Sequence, residues 1–310
     1  MKTFKKWSIM APELREHSLS YCRFNDLFEY ALCSKLCNSE IQKCNTNAPE
    51  IVFLKELEDG HTGMLIHFEY DSWPVFNLFF AKIDERRYKI CRHHHYLNNP
   101  ERYTILEGDA HEAALRYFAK RYKYVKTSRT TEIQIDCKSW PIKWIMIPVI
   151  YQIEKWDIIL HSSMYYQCMK ALKENPNIKK LVLWTEQSES DEITLPSEFF
   201  KSKLFKQLDN GVFHLKSLIE DDDFLESPAS NLKLNCDTIT NNAINKKLQN
   251  WYDGGSGYFL IQFLTPRRMN DVLRNLPFEQ QRNGKSRIRR PDGSVGTMYL
   301  TNYCVHFQAA

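Results

Sequence analysis

The sequence predicts an α/β protein made of a three-helix N-terminal module, an antiparallel β meander and a mostly parallel sheet of strand–helix units. Helically spaced apolar residues over about residues 8–44 predict short helices there. Short β-rich runs separated by turn residues begin at 51, and strands alternate with amphipathic helices from about 130. The polar, turn-rich stretch 45–49 places a boundary between a helical module over 5–45 and an α/β domain over 46–310.

The helical module is predicted from capping residues and apolar spacing. Pro12 suits the first position of a helix because its missing N–H would be unpaired there anyway. Leu27 and Tyr30 share one face of a second helix, and Ser34 can open a third short helix that runs to Ile41. These spacings predict short helices with one apolar side.

The meander is predicted from four β-rich runs: IVFLKEL, MLIHFEY, VFNLFFAKI and YKICRH. Asp59-Gly60 and Asp71-Ser72 are turn dipeptides between them. A helix capped by Asp109 follows, with Ala114 and Tyr117 on its apolar face. Antiparallel neighbours joined by short turns are the expected arrangement.

The last part repeats a strand and a helix, which implies parallel strands with crossover connections. Helices are expected from Met164 to Glu174, from Asn241 to Tyr252, and near Met269 to Leu276. A strand, a PDG turn and two more strands run from Ser286 to Phe307. The irregular period of roughly 20 to 35 residues lies in the range of leucine-rich-repeat solenoids, although no strict repeat signature occurs. The sequence therefore predicts a degenerate leucine-rich-repeat-like βα sheet.

Composition excludes several classes of protein. Hydrophobic residues make up 43% and charged residues 26% of the 310, which is typical of a globular chain. A net charge of +4 is too small to indicate nucleic acid, and the longest apolar run, 144–153, is too short for a membrane span. Nine cysteines without a CxxC pair favour reduced thiols. We expect a cytoplasmic or nuclear protein with no nucleic-acid or membrane partner.

The N-terminal segment resembles an F-box. Residues 11–14 (APEL) stand where that motif has Leu-Pro-x-x-Leu, 25–27 (NDL) at its Asp-Leu, and 33–35 (CSK) at its Cys/Val-Ser-Lys. Ile41 stands at the closing aliphatic position. The segment departs from the motif at Ala11, Cys22 and Cys37.

The C-terminal part resembles the F-box-associated (type 2) domain of nematode-type F-box proteins. Residues 231–256 match its strand followed by a Thr-x-x-x-x-Asn helix with a Trp and closing Gly. Residues 287–297 (RIRRPDGSVGT) match its Arg-x-Asp-Gly hairpin, and 176–183 its strand entries. The order of these motifs carries the resemblance.

The resemblance implies a substrate-recognition subunit of a Skp–cullin–F-box E3 ubiquitin ligase. Its helices would bind a Skp-type adaptor, and through it a cullin, while the α/β domain holds a protein substrate. The implied adaptor-binding residues are Pro12, Leu14, Leu19, Leu27, Leu32, Ser34 and Ile41. Such an adaptor needs no cofactor and no catalytic residue. Two alternatives stay open: helices that merely pack on the sheet, and a solenoid-like interaction module unconnected to ubiquitin.

Metal and enzyme interpretations are weaker. Cys91 and His93–His95 form a cluster, but neighbouring residues of a strand point to opposite faces, so three consecutive histidines cannot bind one ion. The chain has no GxSxG, Walker, GxGxxG or HExxH motif. A cryptic hydrolase stays open as an alternative, because a Cys–His or carboxylate pair can assemble in space without forming a sequence motif. We expect no metal and no catalysis.

One basic stretch and the aromatic residues complete the candidates. Lys285, Arg287, Arg289 and Arg290 could bind phosphates or form a localisation signal, but the adjacent PDG turn favours a hairpin with solvated arginines. Aromatic residues total 13%, and a few exposed on the sheet could anchor a partner.

Overall fold

A computed structural model of the protein describes most of the α/β part and one N-terminal segment. The described residues are 10–20, 51–57, 63–69, 76–94, 103–122, 132–138, 153–185, 193–255, 257–266, 272–281 and 284–309. The chain divides into two compact units: unit 1 is Met1–Asp136 with Pro141–Ile153, and unit 2 is Cys137–Trp140 with Glu154–Ala310. The predicted second and third helices and the boundary at 45–46 lie outside the described residues.

Unit 1 is a six-stranded sheet with two described helices. Its elements are α1 (Pro12–Ser20), β1 (Ile51–Leu57), β2 (Gly63–Glu69), β3 (Phe76–Lys82), β4 (Arg87–His94), β5 (Tyr103–Glu107), α2 (Ala110–Tyr122) and β6 (Glu132–Asp136). The strand order is β6-β1-β2-β3-β4-β5. Strands β1 to β5 form antiparallel pairs in chain order, as the sequence predicts, and β6 pairs with β1 in parallel.

Helix α2 packs on this sheet through its apolar face. Its Ala114 is fully buried, and the Tyr117 ring meets Phe80 of β3 edge-on, 5.6 Å between centroids. The predicted cap is confirmed, since the Asp109 carboxylate accepts a hydrogen bond of 2.8 Å from the Glu112 N–H. Such a cap satisfies one of the donors that every helix leaves free in its first turn.

Unit 2 contains the larger sheet. Its elements are β7 (Lys155–Leu160), a 3₁₀ turn (Ser162–Met164), α3 (Tyr165–Glu174), β8 (Lys180–Thr185), β9 (Thr194–Leu195), α4 (Ser197–Phe200), a second 3₁₀ turn (Phe205–Gln207), β10 (Asn210–Ser217), α5 (Asp221–Glu226), β11 (Asn231–Asn235), α6 (Asn241–Tyr252), β12 (Tyr258–Gln262), β13 (Phe278–Gln280), β14 (Lys285–Arg289), β15 (Val295–Thr301) and β16 (Cys304–Ala309). The order is β13-β14-β15-β16-β12-β11-β10-β8-β7, with β9 on β10.

The sheet of unit 2 is parallel in one half and antiparallel in the other. Strands β7, β8, β10, β11 and β12 pair in parallel, which agrees with the predicted strand–helix units. Strand β16 then pairs antiparallel with β12, and β15, β14 and β13 continue antiparallel. The chain therefore closes its parallel array with hairpins at the C-terminal end.

The core of unit 2 lies between this sheet and its helices. Phe199, Phe200 and Phe205 surround Phe213 of β10, with centroids 5.5 to 6.2 Å from its ring. Phe224 of α5 meets Phe259 of β12 at 5.7 Å. Burial of a large side chain of this kind stabilises the fold by about 1.5–3 kcal/mol. Helices α4, α5 and α6 therefore all pack on the same face of the sheet.

One sequence expectation fails in this unit. Residues 272–276, the described part of the helix expected near Met269 to Leu276, form turns. Asn275 there has φ 61°, in the left-handed region that asparagine tolerates better than most residues. No helix in the described part of the chain has both the length and the apolar character to cross a membrane.

Candidate functional site

The predicted adaptor-binding residues are described only on α1. Pro12 is the first residue of that helix and is exposed, and the carbonyl of Ala11 accepts from the N–H of Leu14 at 3.1 Å. The Leu14 side chain is 57% exposed, whereas Leu19 is buried. The other predicted residues lie outside the described residues, namely Leu27, Leu32, Ser34 and Ile41. An exposed leucine on α1 is thus what the structure supplies for a contact.

The Thr-x-x-x-x-Asn motif begins with a helix cap. Thr240 Oγ1 accepts from the N–H of Ala243 at 3.2 Å and so caps α6. The carboxylate of Asp221, in the first turn of α5, accepts from the Thr240 N–H at 2.8 Å and from its hydroxyl at 2.6 Å. The threonine therefore joins the starts of two helices.

The asparagine of the same motif holds a distant segment. The side-chain amide of Asn245 donates to the carbonyls of Val272 at 2.9 Å and Arg274 at 2.8 Å. Its Oδ1 accepts from the Gln249 side chain at 2.9 Å. Because these carbonyls are bonded to a side chain, the 272–276 segment is stabilised as turns rather than as a helix.

The tryptophan of α6 packs against the C-terminal hairpin. The Trp251 ring lies 4.8 Å from Phe307, and the Arg290 guanidinium lies 4.8 Å from its centroid. Arg290 Nε also donates to the Tyr252 carbonyl at 3.4 Å. No larger residue fits at position 296 against these rings, because a Cβ on Gly296 would lie 2.6 Å from Phe307 and 2.8 Å from Trp251.

The PDG segment is a hairpin turn, as predicted. The Arg290 N–H donates to the Ser294 carbonyl at 2.9 Å, and Asp292 Oδ1 accepts from the Ser294 N–H at 2.8 Å. Gly293 has φ +90°, which glycine adopts without strain. One part of the prediction is wrong: Arg290 is not solvated, since its side chain is 10% exposed and lies on Trp251. The C-terminal motifs therefore lock a hairpin onto α6.

A surface that the sequence did not single out lies on the other side of the sheet. Side chains alternate between the faces of each strand, so those pointing away from α4–α6 form one surface, here called the open face. Register places one residue from each of seven strands in a row across it: Val182, Val212, Lys233, Leu260, His306, Tyr299 and Lys285. Chain segments far apart in sequence meet there.

Aromatic and imidazole rings pair on the open face. Trp184 stacks on His214 with centroids 4.0 Å apart and an interplanar angle of 19°. Tyr258 meets His306 edge-on at 5.1 Å. Trp184 keeps 41% of its surface exposed although it is large and apolar. Rigid rings that are packed on one side and open on the other are the side chains that dominate binding contacts.

A lysine lies between the two ring pairs. Lys233 Nζ is 5.8 Å from the Tyr258 centroid, and no ion pair of Lys233 occurs among the described residues. Burial, and then the charge of Lys233, lower the pKa of His214. Burial lowers the pKa of His306 as well, followed by the charges of Lys233 and Lys285. The imidazoles are therefore neutral at neutral pH, and the face carries its charge on lysine.

Three polar atoms along the open face are buried without a hydrogen-bond partner: Asn210 Oδ1, Asn231 Oδ1 and His306 Nε2. Asn210 and Asn231 are register neighbours on β10 and β11. Buried polar groups of folded proteins are normally paired, so these three atoms are exceptions within the described structure. The alternation of LKLN and YFLIQ is the signal in the sequence that these positions face away from the core.

A cavity of about 330 Å³ in unit 1 tests the hydrolase alternative. Its lining contains neither cysteine nor histidine. Two of its carboxylates have structural bonds: Asp109 caps α2, and Glu112 pairs with Arg116 at 2.7 Å. In unit 2, burial raises the pKa of the Cys168 thiol, which makes it a poor nucleophile. The cavity lining therefore offers no Cys–His pair, and the Cys168 thiol is unsuited to nucleophilic attack.

The predicted metal cluster is described only in part. Cys91 is a buried residue of β4, and the side chains of His93–His95 lie outside the described residues. Within the described part of the chain, no group of three His, Cys, Asp or Glu side chains is arranged to hold a metal ion.

The described structure defines a mixed α/β protein with large sheets and few helices. An F-box protein of Caenorhabditis elegans, itself uncharacterized, is 21% identical to it over 298 residues, which cover 89% of this chain and 75% of that protein. No protein-family model matches the chain, and no solved structure matches it. The similarity supports an F-box protein, in agreement with the resemblance of the N-terminal segment.

Proposed function

We propose that the chain is the substrate-recognition subunit of a Skp–cullin–F-box E3 ubiquitin ligase. The observation that carries this proposal is the similarity to an F-box protein over 89% of the chain. In this role the N-terminal helices bind a Skp-type adaptor, and the F-box-associated domain binds a protein substrate. The adaptor in turn connects the chain to a cullin.

The adaptor contact is apolar. Leu14 is 57% exposed on α1, and full burial of a leucine side chain is worth about 1.5–3 kcal/mol. Leu19 is buried in the free chain, where it holds the helix in place. The set proposed at the contact surface is Pro12, Leu14, Leu27, Leu32, Ser34 and Ile41, with Leu19 supporting α1 from beneath.

The chain acts by proximity and supplies no chemical group. Holding a substrate beside a ubiquitin-loaded enzyme raises the effective concentration of the two reactants. The described motifs support such a role, because Thr240, Asn245 and Trp251 are all engaged in structural contacts. No residue of this chain is then essential to the chemistry itself.

Co-expression with a Skp-type adaptor, followed by affinity capture, tests the proposal. Wild-type chain should recover the adaptor in a stable complex. Leu14→Glu should lower the affinity by roughly 30-fold to 1,000-fold, as expected for a truncated hot spot of about 2–4 kcal/mol. Ile83→Glu is the matched control, since Ile83 is a 43% exposed aliphatic residue of the same unit.

The thermal melts of both variants should match that of the wild type, because both side chains are exposed. A folded wild-type chain that recovers no adaptor would remove the ubiquitin-ligase role. The alternative function would then remain, namely an interaction module unconnected to ubiquitin. The partner of that module would be sought through unit 2 alone.

A further inference from the structure

We propose that the open face of unit 2 binds an extended, acidic segment of a partner protein. The segment lies across the strands, with its carboxylates on Lys233 and its basic neighbours. That this partner is a ubiquitin-ligase substrate rests on the proposed function, whereas the binding itself is argued from unit 2 alone.

Charge complementarity identifies the occupant. In the described strands of unit 2, register and alternation place these basic residues on the open face: Lys155, Lys180, Lys216, Lys233, Lys285, Arg287 and Arg289. The acidic residues on the same face are Asp157 and Glu279, which lie on β7 and β13 at opposite ends of the sheet. The middle of the face is therefore basic without acidic side chains of its own strands, and it attracts anions.

Lys233 is the centre of this charge. It lies on β11 between the Trp184–His214 stack and the Tyr258–His306 pair. Lys233 is half-buried and forms no ion pair with the described residues, so it has lost part of its hydration without gaining an opposite charge. A carboxylate placed beside it is stabilised more than on an open, fully solvated surface.

The dimensions fit a short extended segment. The row from Val182 on β8 to Lys285 on β14 crosses seven strands, or six spacings of about 4.8 Å, which gives roughly 29 Å. An extended chain advances about 3.3 Å per residue, so roughly nine residues span the row.

Polar side chains of the open face suit a peptide backbone. Asn210 and Asn231 are half-buried on neighbouring strands, and a carboxamide offers both N–H donors and a carbonyl acceptor to an extended segment. The imidazole of His306 is half-buried on the same surface. A bound segment would thus meet polar side chains as well as charge.

Single-stranded nucleic acid is the other anionic polymer that aromatic, basic surfaces bind. The peptide is favoured here because Lys233, the centre of the charge, lies over the Tyr258 ring and so occupies a face on which a base would stack. A base needs a free ring face on which to stack. A peptide is therefore the ligand assigned to this surface.

Fluorescence anisotropy on the full chain tests this proposal. The probe is a fluorescein-labelled peptide of roughly nine residues that alternates Glu and Ser. Lys233→Met should weaken its binding at least about tenfold, because the charge is lost while the aliphatic stem is kept. Lys246→Met is the matched control, since Lys246 is an exposed lysine of α6, on the helix-covered side of the sheet.

Two comparison probes fix the class of ligand: a Lys–Ser peptide of the same length and an oligouridine of similar charge. The proposal holds if the Glu–Ser peptide binds the wild type more tightly than both, and if added salt weakens it. It is overturned if the oligouridine binds more tightly, if the two peptides bind alike, or if both lysine variants lose affinity equally. No adaptor is present, so the outcome is separate from that of the adaptor capture.

Discussion

Gly296→Ala is the substitution that most sharply probes the packing of the hairpin on α6. Gly296 lies on β15 between two buried rings, Trp251 and Phe307. An added Cβ would come within 2.6 Å of Phe307 and 2.8 Å of Trp251, whereas non-bonded carbon atoms prefer about 3.5–4.0 Å. Each ring would have to move by about 1 Å.

The rings have little freedom to move. Phe307 is fully buried and touches Phe259 at 5.5 Å between centroids, and Trp251 is covered by Arg290 at 4.8 Å. Overpacking of a filled core typically costs about 1–3 kcal/mol. For a unit of this size, that corresponds to a fall in Tm of roughly 2–12 °C.

Urea denaturation and differential scanning calorimetry on the full chain measure this loss. Gly257→Ala is the matched control, because nothing lies within 4 Å of a Cβ there and its φ is not positive. That control should leave the free energy of unfolding unchanged or raise it by up to about 1 kcal/mol. If Gly296→Ala proves as stable as Gly257→Ala, the hairpin does not pack on Trp251 and the account of the C-terminal motifs is wrong.

Two further predictions concern unit 2. Thr240→Ala should lower the free energy of unfolding by about 1 kcal/mol, because the α6 cap is lost. A double-mutant cycle with Asp221→Ala should show coupling, since the two side chains share a hydrogen bond. Losses that simply add in urea denaturation would contradict this coupling. The lowered pKa values of His214 and His306 mean that, below about pH 6.5, the unfolded chain takes up protons that the folded chain refuses. Stability should therefore fall as the pH drops through this window, and less so in a His214→Gln, His306→Gln double variant; equal pH slopes for the two proteins would refute the role of these histidines.

Local signals in the sequence predict much of the fold. The Asp109 cap, the PDG turn and the alternating strands of the meander all depend on residues within a few positions of one another, so they are visible without a structure. The expected helix near Met269 to Leu276 fails for the opposite reason. Asn245 and the carbonyls it binds are separated by a whole strand and loop, and this tertiary contact overrides the local helical spacing.

The candidate site could be predicted only in part. The F-box pattern directs attention to Leu14, which is exposed as a contact residue must be. The open face is different, because its partners come from separate strands: Trp184 meets His214, and Tyr258 meets His306. Alternation shows that such residues point away from the core, but only the strand order and register show that they are neighbours.

The central claim is that one chain carries an adaptor at its N-terminal helices and an acidic segment on unit 2. Isothermal titration calorimetry of the Glu–Ser peptide into the purified chain–adaptor complex tests both halves at once. The account predicts a complex with one copy of each component, in which the peptide Kd equals that of the free chain. Leu14→Glu should weaken only the binding of the adaptor, and Lys233→Met should weaken only the binding of the peptide. A chain that forms no adaptor complex, or a complex in which Lys233→Met leaves the peptide Kd unchanged, would contradict it.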